Sequence, residues 1–144
     1  TVMIPLAYKA NAERQQFMCK LVAGMRSTSP EEARRGIMIG DQDVFVNVVG
    51  GIRVQETAAD LPVLLAVLSS LRDRPLAEKT IAFGEVGLSG EIRPVPNGEE
   101  RLKEAATHGF KRAIVSKANA PKAGVYKGMD VIAVERLADA LHVA

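Results

Sequence analysis

TIAFGEVGLSGEIRPV, residues 80–95, is the stretch on which the reading of the fold turns. Thr80, Ile81, Phe83 and Val86 are residue types that suit extended chain, so residues 80–86 read as a strand. Leu88-Ser89-Gly90-Glu91 supplies a tight turn, and residues 92–95 read as the returning arm of a β-hairpin closed at glycine. Pro96-Asn97-Gly98 ends it. On the C-terminal side a helix is predicted over residues 99–108, stopping at Gly109, which suits the left-handed position that closes helices. A strand over 112–116 follows, then a loop rich in Ala, Pro and Gly, a strand over 131–134 and a last helix over 136–141.

On the N-terminal side the pattern predicts a helix over residues 58–71 with Thr57 as its N-cap. Leu61, Leu64, Leu65, Val67 and Leu68 make it apolar on nearly all sides, which places it at the centre of the core. Before it, the β-branched run Val44 to Val49 reads as a buried strand ending at Gly50-Gly51, with a second strand over 52–55. Strands interleaved with helices give an α+β class, with α and β packed as two layers. Residues 37–144 form this domain. Residues 1–36 differ: Phe17, Met18, Leu21, Val22 and Met25 recur at helical spacing over 11–25, and Ser29-Pro30-Glu31-Glu32 starts a second helix. They are either a separate helical segment or a divergent start of the domain. The sequence contains no internal repeat and no low-complexity segment.

Composition narrows the function classes. With 47% hydrophobic and 25% charged residues, the 144-residue chain has enough apolar material for one ordinary core and is unlike a disordered tail. The single cysteine, Cys19, closes no intrachain disulfide and supplies no zinc site, which fits a reducing cytoplasm. No apolar run approaches the roughly 18–20 residues of a membrane span, and residues 1–6 are too short for a signal peptide, so neither insertion nor export is expected. Nineteen basic residues against 17 acidic ones leave a net charge of +2, too even to indicate a nucleic-acid partner without local clustering.

The motifs that would carry chemistry are missing. No G-x-x-x-x-G-K-[ST] loop occurs, so ATP binding by this chain alone is not expected, and no cofactor or metal is assigned to it. Ser89 lacks the second glycine and following helix of a nucleophile elbow and reads as a turn serine. His108 at a helix end and His142 near the C-terminus have neither ligand partners nor a triad around them in the sequence.

Five segments in one order carry a resemblance: DQDVFVNVVGG, ETAADL, LSSLRDRPL, FGEVGLSGEIRPV and EAATHGFKRAIV. Together they resemble the C-terminal domain of the RadA (Sms) family of bacterial DNA-repair and recombination ATPases. That domain is in turn similar to the proteolytic domain of Lon protease, so the resemblance implies a Lon protease catalytic-domain-like fold. In Lon a G-P-S-A-G segment carries the nucleophilic serine and G-G-L-K-E-K the lysine that activates it. The matching positions are Ala58 and Glu99, a methyl group and a carboxylate, so neither half of the dyad is present. The family further implies a zinc finger and a RecA-like core binding ATP and Mg in regions outside these 144 residues, which reads the chain as part of a larger DNA-dependent ATPase. It also implies a homo-hexameric ring, single- and double-stranded DNA as partners, a recombinase as a further partner, and branch migration as the task. Arg93, Arg101 and Lys103, near the former protease cleft and the matched G-E-I-R, are the DNA-contact candidates. Two other readings stand beside this one: a regulatory protein-interaction domain, and a peptidase using Thr57 or Ser89 with Lys103.

Overall fold

A helix with leucines and valines on every face has to be covered on every face. The computed structural model, which describes residues 55–72 and 74–143, shows this for α1 (Asp60–Leu71), where Leu61, Val63, Leu64, Leu65, Ala66, Val67 and Leu68 are all buried. The helices and Cys19 within residues 1–36, the strand over 44–49 and residues 52–54 of the next strand lie outside the described residues.

The start of α1 corrects the expected cap. Residues Thr57–Ala59 form a 3₁₀ turn ahead of the helix; Thr57 lies inside that turn, and the cap position, Glu56, makes no side-chain cap bond. The missing cap is supplied from another segment. The Gly84 N–H donates to the Ala58 carbonyl (3.0 Å), and the Leu61 N–H donates to the Gly84 carbonyl (3.1 Å). The second of these bonds satisfies an N–H that a helix start otherwise leaves unpaired.

The same bonds split the expected strand over 80–86. Its first part, β1 (Thr80–Phe83), stays in the main sheet, whereas β2 (Glu85–Val86) pairs antiparallel with β3 (Ile92–Arg93) in a second sheet. A Cβ on Gly84 would stand 2.9 Å from Ile92 Cγ2 and 3.4 Å from Leu61 Cδ2. Carbon atoms prefer at least about 3.5 Å, so only glycine lets the chain pass here. The hairpin loop is Leu88-Ser89-Gly90. Gly87 donates to Glu91 (2.9 Å), Gly90 donates to Gly87 (3.0 Å), and Gly90 takes a left-handed φ of 80°, the geometry of a three-residue loop. The turn therefore begins at Gly87, one residue earlier than expected.

The returning arm is shorter than residues 92–95 because a side chain takes over the pairing. Val95 donates to Asn119 Oδ1 (2.8 Å), and Asn119 Nδ2 donates to the Val95 carbonyl (3.0 Å). Beyond it α2 (Gly98–Thr107) ends at Gly109, φ 81°, as the sequence indicates, and β4 (Arg112–Ser116) has its expected bounds. A short strand, β5 (Val125–Tyr126), was not foreseen. It forms a hairpin with β6 (Met129–Val134), which starts two residues before the expected 131. The last helix, α3 (Leu137–Val143), is displaced from the expected 136–141. Arg136 caps it instead, its N–H donating to the Asp139 carboxylate (3.0 Å) in half of a capping box.

The main sheet has the order β1-β4-β6-β5, with the first three strands parallel and β5 antiparallel. Because side chains alternate, Phe83, Ala113, Val115, Met129 and Val131 share one face, where Leu102 and Ala105 of α2 join them. On the other face α1 packs on β1, α3 on β6, and the two helices on each other. Residues Ala113, Ile114, Val115 and Ser116 are consequently buried without a break, as in a parallel strand covered on both sides. Among the described residues the fold is thus α/β with a mixed four-stranded sheet and three helices, and helices on both faces add a layer to the two expected.

Leu64 and Leu65 are each 1% exposed. Leu64→Ala or Leu65→Ala should cost about 2–5 kcal/mol in chemical denaturation. Gly84→Ala should destabilise the unit as well, although it adds only one methyl group, whereas Leu88→Ala should leave stability unchanged.

Candidate functional site

Ala58 and Glu99, the two positions that the resemblance sets against the Lon dyad, lie in opposite surroundings. Ala58 is buried in the apolar cluster formed by Phe83, Val95, Leu102 and Ala105. It is held there by the Gly84 bond to its carbonyl. Glu99 is exposed in the first turn of α2 beside Glu100, where carboxylates favour the positive end of the helix dipole. A methyl group carries no nucleophilic atom, and a carboxylate is not the amine that a Ser-Lys dyad uses.

The alternative hydroxyls are not assembled either. Ser89 sits exposed on the hairpin loop, its N–H donating to Glu91 Oε2 (3.1 Å) and its carbonyl accepting from Arg136 Nη2 (2.9 Å). Thr57 is in the 3₁₀ turn and Lys103 is exposed on α2. No hydrogen bond joins Lys103 to either hydroxyl among the described residues.

Two of the three cation candidates already have anionic partners. Arg93 donates to Glu91 Oε1 through Nη2 (2.6 Å) and Nε (3.1 Å), and Nη1 lies 3.4 Å from Glu85 Oε1. The Glu91 carboxyl lies over Gly87, whose lack of a Cβ leaves it room. Its own backbone N–H, then the hydrogen bond from Arg93, hold it below the usual carboxylate range, and Glu91 in return raises Arg93. Arg101 donates to Glu56 Oε2 (2.6 Å) and the Pro96 carbonyl (3.1 Å), with its guanidinium 6.0 Å from the centroid of the Phe83 ring. Lys103 forms no ion pair among the described residues.

His108 approaches Glu104 at 3.8 Å on the exposed side of α2, and His142 is exposed in the last turn of α3. Among the described residues no group of three or more His, Cys, Asp or Glu side chains is placed to hold a metal ion, and no helix is long and apolar enough to cross a membrane. The residue that sequence reasoning missed is Asn119. Besides clamping Val95, it accepts from the Ser116 hydroxyl through Oδ1 (2.9 Å), which fixes the chain entering α2 and so the place of Glu99. It acts across 24 residues of sequence, where no local spacing rule reaches.

Comparison with known proteins identifies the family. The family model described as subunit ChlI of Mg-chelatase, a Lon-like domain, matches residues 30–119, more than half of the chain. The DNA repair protein RadA of Escherichia coli (strain K12) is 62% identical over 108 residues, 75% of this chain and 23% of that protein. RadA of Aquifex aeolicus is 41% identical over 143 residues, 99% of this chain and 31% of that protein. RadA of Bacillus subtilis is 42% identical over 111 residues, 77% of this chain and 24% of that protein. The chain thus spans 23–31% of the length of these curated relatives.

The lowered Glu91 carboxyl sets a pH dependence with a definite sign. Its folded-state value lies below the ordinary 4.5, so the charged form favours the folded hairpin. That contribution is full above pH 4.5 and is lost as pH falls through the folded-state value. The stability difference between the parent and Glu91→Gln should be constant at neutral pH and shrink in acid. The Glu91 carboxyl should titrate by NMR with a midpoint below 4.5; a midpoint above it would contradict the pairing.

Proposed function

Because this chain belongs to the family of Lon-like domains that the ChlI model describes, and is homologous to a segment of bacterial RadA, we propose that it is a non-catalytic scaffold domain of a RadA-type DNA repair and recombination protein. Its tasks are ring assembly and DNA contact during branch migration, and its fold is that of the Lon protease catalytic domain. ATP hydrolysis belongs to the rest of such a protein.

The observation that carries this reading is Ala58, buried in one cluster with Phe83 and Leu102 at the position matched to the Lon nucleophile. A protease cleft has been converted into core, and what is left to act is surface. Leu88 is 78% exposed at the hairpin tip, an apolar group that a contact between copies would cover. DNA contact then follows from repetition. One copy with a net charge of +2 attracts phosphates weakly, while a ring presents the same cations several times around one channel, and linked weak contacts add in effective concentration. Of the three cation candidates Lys103 is the least committed; Arg93 and Arg101 would have to exchange carboxylates for phosphates.

Leu88 also favours a second reading, a regulatory protein-interaction domain whose partner is a different protein. Labelled-DNA titrations over a range of salt, with light scattering on the same samples, separate the two. The scaffold reading expects affinity that falls steeply with salt, and a Leu88→Glu variant that loses mass and DNA affinity together. No DNA binding at low salt, with mass unaffected by Leu88→Glu, would favour the second reading. Digestion of casein by the parent chain would overturn both.

A further inference from the structure

Each of the three parallel strands is approached through a lysine. Lys79 immediately precedes β1, Lys111 immediately precedes β4, and Lys127 lies in the turn leading into β6. The register pairs Thr80 with Arg112 and Arg112 with Asp130, so the three approaches stand side by side on one edge of the sheet. Backbone bonds tie them together: Lys111 donates to the Lys79 carbonyl (2.9 Å), and Asp130 donates to the Lys111 carbonyl (3.0 Å). Neighbouring strands stand about 4.8 Å apart, and Lys127 lies in the turn two residues before Met129, the residue level with Lys111. The row lies at the end of the sheet opposite Gly84 and Ala58, which sit where β1 finishes.

All three lysines are exposed, and among the described residues none forms an ion pair. Glu78 and Asp130 stand at the same edge, also exposed, and pair with none of them. The backbone supplies the second observation. Lys79 and Lys127 have left-handed φ values of 56° and 47°; the remaining non-glycine residue of this kind among those described is Asn97. Glycine takes that conformation freely and asparagine with little strain, whereas a lysine is crowded by its Cβ. The chain accepts strain at both ends of the row and keeps the cations, and strain retained at a surface position points to function.

We propose that this edge of the sheet docks the phosphate backbone of a nucleic acid. The inference rests on the DNA-contact reading and gives it a surface distinct from Arg93 and Arg101, whose charges are committed. A regular row of flexible point charges suits repeating phosphates. Tyr126, partly exposed beside Lys127 with the ammonium 5.8 Å from its ring centroid, adds an aromatic group of the type that stacks on bases.

The test combines Lys79→Asn, Lys111→Gln and Lys127→Gly in the full 144-residue chain. Asparagine and glycine fit the left-handed positions, so Tm should hold or rise. Labelled single-stranded DNA is titrated between about 50 and 200 mM salt, where each lost phosphate contact lowers the log–log slope by about 0.7. The triple variant should lose about 2 from that slope and about tenfold in affinity, while Lys111→Arg keeps both. If the parent binds and the triple variant matches it in affinity and slope, this inference fails and the DNA-contact reading stands. If the parent does not bind at all, the reading itself fails and takes the inference with it. A lower Tm in the triple variant would make the lysines structural and overturn the proposal. So would poly-glutamate competing as well as DNA at equal charge, which would point to an acidic protein partner.

Discussion

The backbone of Gly84 donates to Ala58 and accepts from Leu61, and these two bonds join the end of β1 to the start of α1. Each is worth about 1 kcal/mol net, but leaving a buried backbone group unpaired costs about 1–3 kcal/mol, so the join is enforced more by penalty than by gain. Three features depend on it. The strand over 80–86 must break so that Gly84 can face the helix; residues 85–93 are then free to turn out as a separate hairpin; and Ala58 is drawn into the cluster with Phe83 and Leu102. Ala58 thereby holds a packing position.

Much of this was legible in the sequence, for identifiable reasons. The all-round apolar pattern of α1, the Gly109 stop of α2 and the Ile-Val pair of β4 are local signals, and these three elements are observed. Two of the misreadings share one cause, a partner distant in sequence. Thr57 has the right chemistry for a cap, yet the helix start is capped by Gly84, so a 3₁₀ turn takes the place of a capped first turn. The returning arm ends early because Asn119 takes both backbone groups of Val95. The β5–β6 hairpin turns on Lys127-Gly128 with both φ values positive, a conformation that Asn-Gly would have announced and Lys-Gly does not.

At the candidate site the sequence shows by residue type alone that Ala58 carries a methyl group and Glu99 a carboxylate. It could not show which cations are free. Arg93 and Glu91 are two residues apart on the hairpin, and only the three-residue loop, with Gly87 bare beneath the carboxylate, brings them to 2.6 Å. Arg101 reaches Glu56 across 45 residues. The strand-edge lysines were invisible for the converse reason: Lys79, Lys111 and Lys127 are scattered along the chain and become neighbours only through the parallel register.

Native-state amide hydrogen exchange at Gly84 and Leu61 tests the central constraint most directly. If the join between β1 and α1 is the feature on which the unit depends, both amides should exchange only by global unfolding, with the same opening free energy as Ile114 and Val115 in the centre of the sheet. Exchange at Gly84 and Leu61 as fast as at Ser89 in the exposed loop, with Ile114 still protected, would contradict it.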